Sequence, residues 1–238
     1  MKKDDGVSNV VAMMLLLSIL VICIAALSSS YIPDLKQNAE AMHSAEVKEA
    51  FLQFGSDVDE LFTTAQGGVY TEVFSLGGGD ILLSPSKSGG TVKIETVNIG
   101  NVDETPITSV NVTYTPLLPY WVNQGYFYEN GVVWATKNSE RVPVLSGLNN
   151  VSEGTAKEES VKEAWISAMQ PKLLGESGET NYYVQNIVIL SADENKNYLS
   201  GTSQATLKIT ATNITTTTTT SGTNTTTKRV ITAKVSVE

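Results

Sequence analysis

The sequence predicts an α+β chain with an uneven layout: one long N-terminal helix, apolar and then amphipathic, followed by an antiparallel β-sandwich-like head with one inserted helix. Three observations predict it. Residues 7–27 contain no charged side chain, residues 35–61 repeat apolar side chains at helical spacing, and the chain beyond is rich in Val, Ile, Thr and Tyr with strand-like alternation. The implied divisions are a hydrophilic stretch at 1–6, a helix over 7–66 and a head over 67–238.

Val7 to Leu27 makes about 31 Å of helix at 1.5 Å per residue, close to the thickness of a bilayer's hydrocarbon core. A cleaved secretory signal has a shorter apolar region, a basic start and a small-residue cleavage site. Ala26-Leu27-Ser28 has the small residues of such a site. Against a cleaved signal, Asp4 and Asp5 sit beside Lys2 and Lys3, and the helical pattern continues past Ser30. A retained spanning helix is the reading, with a cleaved signal and a buried helix of a soluble core as alternatives.

The second half of the helix follows from Val47, Phe51, Phe54, Val58 and Leu61, spaced 4-3-4-3, with Leu35, Ala39 and Met42 in an earlier, offset stripe. Lys36, Glu40, Glu46, Lys48, Glu49, Asp57, Asp59 and Glu60 are assigned to a solvated face. Pro33 is expected to kink or break the helix. Gly67-Gly68 is expected to end it in a left-handed conformation.

Lys2-Lys3-Asp4-Asp5-Gly6 followed by Val7-Ser8-Asn9-Val10-Val11 resembles the leader, glycine and uncut hydrophobic helix of archaeal type IV pilin-like proteins. The resemblance covers roughly the first 65 residues. It implies cleavage by a prepilin peptidase after Gly6, with Val7 as the first mature residue. Val11 stands where bacterial pilins often carry glutamate. The stretch from Phe74 through Gly77-Gly78-Gly79-Asp80 to Ser88-Gly89-Gly90-Thr91-Val92 is also similar to the segment after the helix in archaeal pilin-like membrane proteins of unassigned function.

In the head, strands are expected at Val69–Leu76, Thr91–Ile99, Ile107–Thr115, Tyr182–Leu190, Ala205–Asn213 and Arg229–Val237. Tyr126 to Trp134 reads as a hairpin, with Asn130-Gly131 supplying the positive φ angles of its turn. A helix from about Ala156 to Met169 puts Val161, Trp165, Ala168 and Met169 on one face, with Pro171 just past its end. Residues 213–227, NITTTTTTSGTNTTT, either extend a long hairpin or form a mobile, glycan-bearing tip.

The single cysteine and single histidine, Cys23 and His43, both lie in the N-terminal helix. The head therefore has neither disulfides nor the residues for Ser-His-Asp or Cys-His catalysis, or for zinc sites built on His or Cys. Cys23 reads as a small hydrophobe facing lipid or a neighbouring helix, and His43 as a solvated residue on the polar side. Carboxylates gather at Glu153, Glu158, Glu159 and Glu163, and in turns at Asp80, Asp103, Glu104, Asp193 and Glu194. Helix-dipole and turn chemistry account for both groups without a glycosidase pair or a calcium loop. Gly77–Gly79 lacks the Lys-Ser/Thr of a phosphate loop and reads as a turn. The sequence implies neither a cofactor nor a metal.

A net charge of −9 argues against nucleic acid as a partner. Tyr114, Tyr120, Trp121, Tyr126, Phe127, Tyr128 and Trp134 concentrate the aromatics, either in the core or as a platform for sugars or a partner. N-glycosylation triplets begin at Asn111, Asn150, Asn213 and Asn224. No apolar run comes after the head, so no second anchor is expected. Lys2 and Lys3 place the N-terminus in the cytoplasm and the head outside.

The functional expectation is a non-catalytic, pilin-like surface protein, a subunit or minor component of a type IV pilus-like filament, with adhesion as a role for the head. Its partners would be membrane lipid, the prepilin peptidase and further copies packed through the N-terminal helix. A monomeric, membrane-anchored extracellular binding protein is the alternative, because it needs the same apolar helix.

Overall fold

The computed structural model describes residues 4–78, 81, 88–138, 140–145 and 158–238. Helix α1 (Asp4–Ala26) passes through a π turn at Leu27–Tyr31 into α2 (Ile32–Thr64). The apolar stretch from Asn9 to Ala26 packs on nothing and is exposed throughout. A buried helix of a soluble core is therefore not what it forms.

Of the two outcomes expected at Pro33, a break does not occur: the helix continues through it, with a π turn directly before. Pro33 occupies the first turn of α2, where a missing N–H costs little. The irregularity falls just before it, where the Ile32 N–H reaches five residues back to the Leu27 carbonyl. The left-handed stop is likewise two residues earlier than expected. It falls on Ala65 (φ 50°), whose N–H bonds the Leu61 carbonyl at 3.1 Å, and burial of the Ala65 side chain holds this conformation.

The strands are β1 (Val69–Ser75), β2 (Gly89–Val102), β3 (Thr105–Leu117), β4 (Gln124–Glu129), β5 (Val132–Lys137), β6 (Glu140–Leu145), β7 (Lys172–Ser177), β8 (Thr180–Ala192), β9 (Tyr198–Gly201), β10 (Gln204–Ser221) and β11 (Asn224–Val237), with α3 (Glu158–Ala168) between β6 and β7. One sheet has the order β1-β10-β11-β8-β7 and the other β6-β5-β4-β3-β2-β9. All the expected strands are present, while β6, β7 and β9 are additional. The pairing is not wholly antiparallel as expected, because β11 runs parallel to β8 from Asn224↔Asn181 to Val235↔Ala192. The cause is the route of the chain: β9 leaves to pair with β2 in the other sheet, and the β10–β11 hairpin then returns beside β8 in β8's own direction.

The turns obey the residue chemistry. Asn130 (φ 48°) and Gly131 (φ 81°) close the β4–β5 hairpin as expected, and Asp103 and Glu104 take the same left-handed pair between β2 and β3. In α3, Val161, Trp165 and Met169 are fully buried, and Trp165 lies 5.9 Å from the Phe62 ring of α2. The expected start of this helix at Ala156 lies outside the described residues.

The core forms around the second half of α2. Val47, Phe51, Phe54, Val58 and Leu61 are all buried, as their spacing predicts. Phe51 meets Phe74 of β1 at 6.1 Å and Tyr126 of β4 at 6.0 Å, and Phe54 sits edge-on to Tyr128 at 4.9 Å. The helix thus touches both sheets at once, β1 and β8 of one and β4, β5 and β6 of the other. Each large ring buried there contributes roughly 1.5–3 kcal/mol of transfer free energy.

Candidate functional site

Below this apolar contact, towards the spanning segment, α2 turns a polar face to the head. Lys36, Glu40 and His43 are buried, with Glu40 fully so, whereas Leu35 and Met42 face outward and Met42 is 76% exposed. This reverses the expected assignment, in which Lys36, Glu40 and His43 were solvated and Leu35, Ala39 and Met42 formed the apolar stripe. Asp57 is buried as well. Hydrophobic periodicity misplaced the face because the head offers backbone groups and tyrosine hydroxyls here, not apolar side chains.

Four residues of one helical stretch tie to the head. Glu40 Oε2 accepts the Tyr120 N–H at 2.9 Å, and Glu46 Oε1 accepts the Ser75 N–H at 3.1 Å. Ser44 Oγ lies 3.1 Å from the Tyr126 hydroxyl, and His43 Nε2 lies 2.9 Å from the Tyr114 hydroxyl. The four partners come from β1, β4 and the segment running from β3 into the loop after it, so the set fixes the helix against both sheets.

Tyr114 Oη has one proton and two acceptors in reach, the Leu76 carbonyl at 3.0 Å and His43 Nε2 at 2.9 Å, so the tautomer of His43 decides which of them it serves. On the other side of the ring, Nδ1 faces Glu46 Oε2 at 4.0 Å. Burial lowers the His43 pKa below its usual 6.5, while the Glu46 carboxylate opposes that shift. Burial also pushes the Tyr114 hydroxyl well above its ordinary range. The pair ties the helix to β3.

Glycines make room for it. A Cβ on Gly78 would collide with the His43 ring, and one on Gly90 would meet the Leu76 carbonyl and the Tyr114 ring. The glycine runs at 77–79 and 89–90 were the available sequence signal, but they suggested a turn at 77–79 and a resemblance to pilin-like proteins, not room for the His43 and Tyr114 rings. Gly79 lies outside the described residues.

A second polar contact lies higher on α2. Burial raises the carboxyls of both Asp57 and Glu72 of β1, the two share a hydrogen bond, and Gln53 Nε2 donates to Asp57 Oδ1 at 3.1 Å. The carboxylates singled out from the sequence are dispersed. Asp103 Oδ2 accepts from the buried Gln185 Nε2 at 2.7 Å, Asp193 caps its own turn through the Asn195 N–H, and Glu163 lies on α3. Asp80 and Glu153 lie outside the described residues, as do the side chains of Glu158 and Glu159. Among the described residues no group of three or more His, Cys, Asp or Glu is placed to hold a metal ion.

Tyr114, Phe127, Tyr128 and Trp134 are core residues, so the aromatics do not form an exposed platform. Tyr120 and Trp121 belong instead to the loop after β3, and its Leu118, Pro119, Val122 and Asn123, not these two aromatics, line an open groove of about 1010 Å³ with Gln124 and Arg141. Of the glycosylation triplets, Asn213 and Asn224 are exposed, Asn111 is half-buried within β3, and Asn150 lies outside the described residues. Cys23 is exposed on α1. Gly6 and Val7 lie in the first turns of α1.

Fold and site together define a class: a β-rich head clasped on the outer half of one helix whose inner half is long and apolar enough to cross a membrane, a layout consistent with that of pilin-like proteins. The chain belongs to a family of unknown function, DUF7289, whose model matches residues 6–139 and thus takes in the helix from Gly6 onward and the four ties to the head. No curated protein and no solved structure matches the chain.

Proposed function

We propose that this protein is a non-catalytic, pilin-like surface protein whose helix is retained so that copies pack together in a filament or in the machinery that assembles one. The observation that carries the reading is the outward side of the helix. Leu27, Tyr31, Leu35 and Met42 continue the exposed apolar surface of α1 beyond the length a bilayer core requires, while the polar side meets the head. A helix serving only to dock its own head would turn these apolar groups inward. In a filament they would bury one another between copies, with the apolar length of α1 leaving lipid for neighbouring helices.

The N-terminus would be cytoplasmic and the head outside, with a prepilin peptidase cutting between Gly6 and Val7. The head would serve adhesion and carry glycans at Asn213 and Asn224, the two triplets exposed among the described residues. The clasp would keep the head at one fixed angle to the helix.

Mass spectrometry of the mature N-terminus, combined with electron microscopy of sheared surface material, tests the proposal. A new N-terminus at Val7 in filaments is the expected result. An intact Met1, or a cut near Ser28, with the protein confined to membranes or medium, would overturn it.

A further inference from the structure

The β10–β11 hairpin continues past the end of α2. β1 runs back along α2, since Tyr70 lies near Thr64 and the Ser75 N–H bonds Glu46, so its antiparallel partner β10 runs the other way, past the helix end. β1 stops pairing at Thr210, and only the Ala211 N–H makes one further bond, to the Gly68 carbonyl. From Ile214 to Ser221 the outer edge of β10 pairs with no described strand, over about 24 Å at 3.4 Å per residue. Residues 212–224 are all exposed, and residues 212–227 contain no charge and no proline.

The other outer strands of the two sheets are protected. β6 carries Glu140, Arg141 and Pro143, β9 is only four residues long, β7 has a register shift with Lys172 and Glu176 beside it, and β1 has Glu72 and the flank of α2. Charge, proline, shortness and irregularity are the usual defences of an edge against pairing. From Ile214 to Ser221 the threonine edge has none of them, since the register shift of β10 falls before it, between Ala211 and Asn213. Its β-branched, uncharged run has the composition of segments that pair with identical copies of themselves.

We propose that this edge is a homophilic contact: Thr215–Ser221 of one copy pairs antiparallel with the same residues of a second copy about a two-fold axis near Thr218. The edge has no charge or pocket with which to select a different partner, whereas identical runs match each other position for position. Antiparallel pairing of seven residues makes about seven backbone hydrogen bonds and aligns threonines on both faces. Because the arm extends past the helix end, away from the spanning segment, antiparallel pairing joins copies whose membranes face each other. The contact is small, so it gains strength from many copies held on each surface. This role in linking surfaces rests on the external head of the proposed function; the pairing itself does not. Asn213, as a glycan acceptor, lies outside the paired residues.

The test uses full-length protein from a host that adds no N-glycans. In a Cys23→Ser background, Thr218→Cys is oxidised in detergent with one chain per micelle, and a disulfide-linked dimer is expected. Adding Thr216→Lys and Thr220→Lys, both exposed, should lower the dimer fraction about tenfold or more, as like charges opposed across the pair repel. A Leu174→Cys control, on the exposed edge of β7, should not dimerise. Absence of the Thr218→Cys dimer, or its indifference to the lysines, overturns the pairing whatever the topology of the chain. Proteoliposomes with intact heads, shown on a separate sample to be accessible to external protease, should cluster, and the double lysine variant should leave them dispersed. Dispersed wild-type vesicles with accessible heads would overturn the surface-linking role alone.

Discussion

The two halves of α2 meet the same head by opposite means. From Val47 to Phe62 the contact is mainly apolar and close-packed, while from Lys36 to Glu46 it consists of hydrogen bonds, that of His43 buried, those of Glu40 and Ser44 half-buried and that of Glu46 exposed. Apolar burial gains free energy in proportion to area and tolerates small shifts of the helix. Buried polar pairs contribute little net energy when made, yet cost much when one partner is lost. The upper half therefore supplies stability, and the lower half fixes the position and rotation of the helix where it leaves the head.

Breaking the upper half should have the largest effect. Phe54→Ala removes the ring packed on Tyr128 and should cost about 3–5 kcal/mol, read as a fall in the denaturation midpoint of the detergent-solubilised chain. A loss under about 1 kcal/mol would show that the helix does not organise the core.

Breaking the lower half should cost less and depend on chemistry. Glu40→Ala removes the acceptor of the Tyr120 N–H in a half-buried contact and should cost about 1–3 kcal/mol, whereas Glu40→Gln keeps an acceptor and should cost less. Equal losses for the two would mean that Glu40 acts only by filling space. Gly78→Ala should fall in the same range, about 1–3 kcal/mol, because its methyl group would displace the His43 ring.

The halves should also differ in their response to pH. The His43 pKa is lowered in the folded state, so its contribution is fully present above the unfolded value near 6.5 and is lost as pH falls from there through the folded value. For Asp57 and Glu72 the sign is reversed. Their folded pKa values are raised, so the stability they add is full below their unfolded values of 3.8 and 4.5 and is lost as pH rises through the folded ones. Unfolding midpoints measured from pH 7.5 to pH 5 should fall for the wild type and fall less for His43→Gln. An unchanged slope would assign the pH response to other groups.

The smallest effect on stability belongs to the outward side. Met42→Ser should change head stability by no more than about 0.5 kcal/mol, since Met42 touches water in the isolated chain. If copies pack through this stripe, the same change should reduce recovery of filaments.

Much of the fold was legible because it rests on local periodicity. The uncharged stretch at 7–27, the 4-3-4-3 spacing from Val47 to Leu61 and the Asn130-Gly131 turn each state their structure within a few residues. The threonine tract was legible as an exposed element but not as a strand, since β-branched residues suit both a long hairpin and an exposed tip. The carboxylates in turns were read from sequence as local backbone chemistry, and Asp193 indeed accepts the Asn195 N–H of its own turn.

By itself the sequence determined the helix, its apolar inner half and the strand texture of the head, because backbone hydrogen bonding and side-chain periodicity act over one or two turns. Only the tertiary structure decided that Lys36, Glu40 and His43 face inward while Leu35 and Met42 face out. Their partners, Tyr120, Tyr114 and the glycine at 78, lie 35 or more positions away in the chain. Which face of a helix is buried depends on what the other surface offers, and at this level the head offers hydroxyls and backbone N–H groups.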